Sequence, residues 1–480
     1  MNPVVETTSG RVRGKERRGI ATWRGIPYAT AQRFRAPEPV KPWAGERDAI
    51  EFGPFAMQAL DPRQAMMSGL TDRIATSEDC HFLNVYSPGT DGKRPVVVWI
   101  HGGAFIMGAG SQPLYDGTSF AANHDIVVVT INYRLGLFGL MFLGDVVSDE
   151  HPGNLALLDQ VAALRWVRDN IAAFGGDPNS VTIMGESAGA VSVAHLLAMP
   201  AAAGLFHRAI LQSGAPGLVT RTREEATTFA RDIIGGLGLA PRELSAVTAD
   251  QLIGAQLQAT RTRGLGAFTP YVDGTVIPRD PVDLVRGGSA PGVPVLLGSN
   301  RDEWALFDVF LGHALTQLVI GQLREHLGPL LPPLFAKSRD ARADRNEQRA
   351  WVDLIGELAF RIPMIKLAEA LLYHSPVWMY RFDWATKTFD GKLGAAHALE
   401  LPFVWNVIDS PFAQLLLGPE APTARSLATK MHAMWAAFIR GGNPGAAWPR
   451  YDTKRRATMI FDRESGIADD PSGELRALWP

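Results

Sequence analysis

The sequence predicts an α/β fold, a central, mostly parallel twisted sheet with helices on both faces. Three observations carry that expectation. The runs Pro95-Val96-Val97-Val98-Trp99-Ile100 and Ile126-Val127-Val128-Val129-Thr130-Ile131 are continuous and β-branched rather than alternating, the pattern of strands buried on both faces. Between 154 and 173, Leu155, Leu158, Val161, Leu164 and Val167 recur at helical spacing, and Gly175-Gly176 follows as a stop. Further short strands are expected at 209–212, 294–297, 377–382 and 458–461, with helical stretches between them. Strands that alternate with helices close into a doubly wound sheet.

Taken in order, residues 4–28 alternate loosely, with Gly10, Gly14, Gly19 and Gly25 as punctuation, which predicts short antiparallel strands at a sheet edge. The Pro-rich stretch 37–54 reads as a surface loop. Residues 57–79 have no aromatic side chain and no clear period, so a loop with one short helix is expected there. The apolar run Val181-Thr182-Ile183-Met184 leads into Gly185-Glu186-Ser187-Ala188-Gly189, and 190–199 reads as a helix. Residues 306–375 are rich in helical pattern (Leu315, Leu318, Leu323, Leu327, then Leu354, Leu358, Ile362, Ile365), and Pro363 is expected to kink or restart a helix. This insertion is expected above the C-terminal edge of the sheet, where it would wall a pocket. The domain organisation so predicted is one elaborated domain over 1–480 with a helical subdomain at about 306–375.

Composition narrows the function classes. The chain has 480 residues, 46% of them apolar, and a formal net charge of −2 with the two signs scattered. No footprint for nucleic acid or an anionic membrane results, and small neutral partners fit better. Cys80 is the single cysteine, so no intrachain disulfide forms and a buried, inert thiol is expected. The N-terminal residues lack the continuous apolar core of a signal peptide, and runs such as 95–100 are too short to span a bilayer. A cytoplasmic protein is the expectation, with monomer and dimer both open.

Strand, sharp turn and helix around Gly185–Gly189 form the context of a nucleophile elbow, in which the serine is strained and its hydroxyl exposed. A serine hydroxyl is a poor nucleophile at neutral pH and needs a base, and the base needs a group that fixes its tautomer. In chain order the acid and then the histidine should follow Ser187. The acid is expected in Gly298-Ser299-Asn300-Arg301-Asp302-Glu303-Trp304, where Asp302 and Glu303 compete. The base is expected at His397 in a small-residue loop; His374 and His432 compete but fall at the end of, or inside, helical patterns. His101, His151, His195 and His207 read as surface or packing residues. The turn His101-Gly102-Gly103-Ala104-Phe105 follows a strand, so the amides of Gly103, Ala104 and Ala188 are candidates to hold an oxyanion. Phe105, Trp304, Phe307, Phe310 and Phe403 are candidates to line an apolar cleft.

With these residues in place the chain resembles the type-B carboxylesterases, the family of bacterial p-nitrobenzyl esterases and animal cholinesterases, within the α/β-hydrolase fold. The marks run from Arg24-Gly25-Ile26-Pro27-Tyr28-Ala29 and Ser77-Glu78-Asp79-Cys80-His81-Phe82-Leu83-Asn84-Val85 near the start. They continue through the His101 loop, Phe174-Gly175-Gly176-Asp177-Pro178, the elbow and Gln212-Ser213-Gly214 to Trp448-Pro449. The resemblance implies Glu303 as the triad acid and His397 as the triad base, with Glu186, Ser213 and Gly102 as secondary groups. The expected activity is that of a serine carboxylesterase that uses no cofactor and no metal, and the candidate apolar cleft favours small to medium acyl or aryl esters. The same mechanism on amides, carbamates or thioesters is the alternative, and a non-catalytic, neuroligin-like interaction module is the reading from another class. Two departures stand out. Trp304 occupies a position usually held by glycine, and Ala56 stands where animal members have the cysteine that pairs with the one matching Cys80. No aromatic residue lies in 57–79 to take the place of the choline-binding tryptophan, which disfavours choline esters.

Overall fold

The computed structural model describes residues 2–59, 75–216, 221–342 and 345–479. Its centre is an eleven-stranded sheet. In chain order the strands are β1 (Lys15–Arg17), β2 (Ile20–Pro27), β3 (Phe82–Ser87), β4 (Arg94–Ile100), β5 (Val127–Ile131), β6 (Gly176–Glu186), β7 (Arg208–Gln212), β8 (Val295–Asn300), β9 (Val377–Phe382), β10 (Ala457–Phe461) and β11 (Gly466–Asp469). Across the sheet the order is β11-β10-β9-β8-β7-β6-β4-β5-β3-β2-β1. Strands β4 to β10 pair in parallel, and antiparallel strands flank them on both sides.

The continuous apolar runs are explained by the two faces of this sheet. Val96, Val98 and Ile100 join one buried cluster and Val97 and Trp99 the other, so alternate side chains serve opposite cores. On the first face lie α1 (Leu155–Asn170) and α2 (Ala188–Ala198); the second is covered by the long helix Ala421–Gly441, through Met431, Trp435, Phe438 and Ile439. Among the described residues no helix is long and apolar enough to cross a membrane.

The predicted strands fall within a residue or so of the observed ones, except that β8 runs on to Asn300, three residues past the expected end, and β6 begins well before 181, with a shift of register between Gly176 and Val181. The stretch 37–54 is not all loop, since Glu46–Asp48 pairs with Gly10–Arg13. Of 57–79, where a loop with one short helix is expected, residues 60–74 lie outside the described residues. In 306–375 the chain forms the helices Ala305–Leu311, His313–Leu327, Leu331–Asp340, Glu347–Gly356 and Ile362–Leu371. Pro363 sits in the first turn of the last of these, after a π-helical stretch over Glu357–Arg361, where the hydrogen bond it cannot donate is not needed. Cys80 is buried, and burial with Asp159 nearby pushes its thiol pKa up.

Candidate active site

Ser187 stands between β6 and α2 with φ 56° and ψ −124°, outside the regions a side chain ordinarily allows. Its amide donates to Gln212 O at 2.9 Å, so the neighbouring strand β7 holds the turn from beside it. Only glycine fits at either side of the serine. A Cβ on Gly189 would lie 2.0 Å from Ile100 O, and one on Gly185 2.4 Å from the Gly189 carbonyl carbon. Strand and helix therefore cross at backbone contact, which lifts residue 187 above the C-terminal end of the sheet.

Glu303 and His397 come from the loops after β8 and β9. Glu303 Oε1 accepts from the Asn300 amide at 2.6 Å, and Oε2 accepts from His397 Nδ1 at 2.6 Å. The His397 amide also donates to Glu303 O. The bond from Nδ1 to Glu303 Oε2 places a ring proton on Nδ1 and turns Nε2 toward the elbow, where it lies 3.0 Å from Glu186 Oε1. Asp302, the competing acid, points elsewhere. Its carboxylate accepts from the Ala395 amide and from Arg301, Arg342 and Arg345. Burial disfavours its charge, but those guanidinium groups more than offset this and hold it well below the usual carboxylate range. The competing histidines are also engaged elsewhere: exposed His374 faces Arg286 O, and His432 donates from Nδ1 to Val404 O.

Three buried carboxyl groups surround His397. Glu186 is beside Nε2, Glu303 beside Nδ1, and Glu400 accepts from Gln212 and Asn300 side chains just behind. Burial lowers the imidazole pKa, but Glu186 and then Glu303 raise it further, so His397 is pushed up from 6.5 to about 9. Burial pushes Glu186 up from 4.5 to about 8; His397 opposes this, while Glu400 and Glu303 add to it. Both shifts favour the protonated forms, and the two groups titrate as a coupled pair.

The turn after β4 presses against the elbow: a Cβ on Gly102 would lie 2.7 Å from Glu186 Oε2 and 3.0 Å from Ser187 Cβ. Gly103, Ala104 and Phe105 all have positive φ. Among the described residues, the amides of Gly103, Ala104 and Ala188 donate to no other backbone group. All three residues line the cavity that Ser187 and His397 also line. Ser213, at φ 52°, is buried on the same wall, and its hydroxyl has no hydrogen-bond partner among the described residues.

That cavity has a volume of about 350 Å³. Phe105, Trp304 and Phe307 line it. Phe310 and Phe403 do not: Phe310 stacks edge-on against Phe389, and fully buried Phe403 fills the second core between Phe382 and Trp384. The Trp304 indole donates to Thr316 Oγ1, and its ring lies 4.8 Å from Phe307, which in turn lies 5.1 Å from the His397 ring. Sequence reasoning missed Phe360, 4.7 Å from His397, together with Leu265, Phe268 and Phe412. Phe360 is in the π-helical stretch ahead of Pro363, a local signal that the helix is irregular there. His195, read from sequence as packing, also lines the wall; its Nδ1 donates to Val191 O, and burial pulls it down to about 4.

The chain is similar to known proteins over its whole length. A family model described as the carboxylesterase family matches residues 1–479. The chain is 39% identical to the para-nitrobenzyl esterase of Bacillus subtilis over 99% of its length and 98% of that relative's. It is 34% identical to the phenmedipham hydrolase of Pseudarthrobacter oxydans, over 98% of this chain and 97% of the relative. Among solved structures, a Geobacillus stearothermophilus carboxylesterase superposes with a TM-score of 0.89 at 40% identity, covering 99% of this chain and all of that one.

Proposed function

The chain belongs to the carboxylesterase family and is a serine-type carboxylic ester hydrolase of the α/β-hydrolase fold, and from that premise we propose that Ser187, His397 and Glu303 carry its reaction. The observation that supports this most is the short bond from His397 Nδ1 to Glu303, which leaves Nε2 as the only ring nitrogen able to take a proton from the elbow. Nε2 removes the Ser187 hydroxyl proton as Oγ attacks the ester carbonyl. The oxyanion forms against the amides of Gly103, Ala104 and Ala188. His397 then passes that proton to the departing alcohol and leaves an acyl-serine. Water, deprotonated by the same nitrogen, repeats the addition; the carboxylic acid departs and Ser187 recovers its proton.

Each imidazolium formed on this path is flanked by carboxyl groups, Glu303 at Nδ1 and Glu186 at Nε2. A cavity of about 350 Å³ walled by phenylalanine and leucine side chains supports small to medium acyl or aryl esters as substrates. The lone, buried Cys80 supports a cytoplasmic setting. Ser187→Ala tests the nucleophile. It is expected to abolish measurable hydrolysis of p-nitrophenyl acetate with the thermal melting point retained, whereas near-wild-type turnover would overturn the assignment. A panel of matched ester, amide, carbamate and thioester substrates then locates the preferred bond.

A further inference from the structure

The loop over 101–108 must hold its amides still for an oxyanion, and the structure shows what closes it. Gly108 is packed directly under the start of the loop: a Cβ there would lie 2.4 Å from His101 Nδ1 and 2.6 Å from Gly102 O. The Met107 carbonyl fills the same place beneath Gly103, where a Cβ would meet it at 2.1 Å. Any movement of Gly108 is thus transmitted through backbone contact to Gly102 and Gly103.

Gly108 is held by a side chain from a distant part of the chain. Gln58 is buried, and its amide group pairs with the peptide of Gly108 on both sides. The Gly108 N–H donates to Gln58 Oε1 at 2.9 Å, and Gln58 Nε2 donates to Gly108 O at 3.0 Å. Nε2 also donates to Ala56 O at 3.1 Å, which fixes the side-chain orientation from two residues back in the chain. Asparagine is too short for this ring, and a carboxylate would set an oxygen against two carbonyl oxygens. Other bonds brace the earlier part of the loop: Tyr133 Oη donates to His101 O, the Ile106 and Met107 amides donate to Gly103 O, and the Gly136 amide donates to Phe105 O. Among the described residues, Gln58 is the side chain that hydrogen-bonds to the Gly108 peptide at the closing end.

We propose that Gln58 is a positioning residue of the oxyanion loop, acting on Gly103 and Ala104 through its two-sided hydrogen bond to Gly108. The inference rests on the assignment of those amides to the oxyanion. Loss of the clamp should loosen the donors in the transition state more than it disturbs binding of the neutral ester, so kcat bears the effect.

The test uses Gln58→Leu and Gln58→Glu with p-nitrophenyl acetate and an aryl trifluoromethyl ketone, whose serine adduct carries an oxyanion. Gln58→Leu is expected to lower kcat roughly 10- to 100-fold, to leave KM within about threefold, and to weaken ketone inhibition in parallel. In Gln58→Glu the protonated carboxyl reproduces the amide's donor and acceptor, so its deficit relative to wild type should shrink as pH falls. A folded Gln58→Leu enzyme with unchanged kcat and ketone affinity overturns the proposal. If that variant does not fold, a Gln58→Glu deficit that is constant with pH overturns it instead. Wild-type enzyme that is insensitive to the ketone would remove the oxyanion assignment itself, a failure distinct from that of Gln58.

Discussion

Glu186→Gln perturbs the one carboxyl group that approaches His397 from the side of the nucleophile. Its Oε1 lies 3.0 Å from Nε2 with both side chains almost wholly buried, so the interaction is little screened. The displacement of His397 from 6.5 to about 9 corresponds to about 3 kcal/mol in favour of the imidazolium, and Glu186 is the largest of the influences that raise it. A raised imidazole pKa depletes the basic form that must accept the serine proton at neutral pH. The expected profile of kcat/KM against pH rises through an apparent pKa well above 6.5. In Glu186→Gln the negative charge is gone, and that rise should move down by about one unit or more. The alkaline plateau should fall, because the imidazolium formed in the transition state loses a partner. The assay is initial-rate hydrolysis of a p-nitrophenyl ester from about pH 5.5 to 9.5, read at the isosbestic wavelength of the leaving group. A variant whose acid limb coincides with that of the wild type would refute the electrostatic role and leave Glu186 as a brace for the turn against Gly102.

Two further substitutions probe the groups around this pair. Glu303→Gln keeps the size of the acid but removes the charge that receives His397 Nδ1–H, and kcat should fall by roughly 10³–10⁴ with the fold intact, as measured by burst and steady-state kinetics. Asp302→Asn removes the buried carboxylate that pairs with Arg301 and leaves Arg342 and Arg345 only Asp353 to share, and it should cost about 3 kcal/mol in denaturant unfolding. The folded pKa of Asp302 is depressed, so its contribution is present above about 3.9 and is lost as pH falls toward the lowered value. The variant should therefore show a flatter acid limb of stability than the wild type.

The elbow was legible in sequence because its requirement is steric and local. Gly185 and Gly189 are demanded by backbone contact, and the strand and helix that flank them carry their own periodicities. The parallel strands were legible for a similar reason, since burial on two faces writes a continuous apolar run. The choice between Asp302 and Glu303 was not legible from spacing, because both residues leave the same strand. It depends on three arginines, two of them forty or more residues downstream, that claim Asp302. The pocket was read only in part. Phe105, Trp304 and Phe307 lie beside catalytic loops in sequence, whereas Phe268, Phe360 and Phe412 reach the cavity only through the tertiary fold. Phe403 misled because an aromatic five residues before Ile408 and six after His397 can face either the cavity or the core, and the second core claimed it. Gln58 carries no local signal, since its partner is fifty residues away.

The proposed activation of Ser187 by His397 is tested by treating the native enzyme with a fluorophosphonate and locating the adduct by peptide mass mapping. One phosphonyl adduct per chain is expected on the peptide carrying Ser187, with labelling and esterase activity lost together in His397→Ala. Complete inactivation with the adduct on another residue, or full activity retained by enzyme stoichiometrically labelled at Ser187, would contradict it.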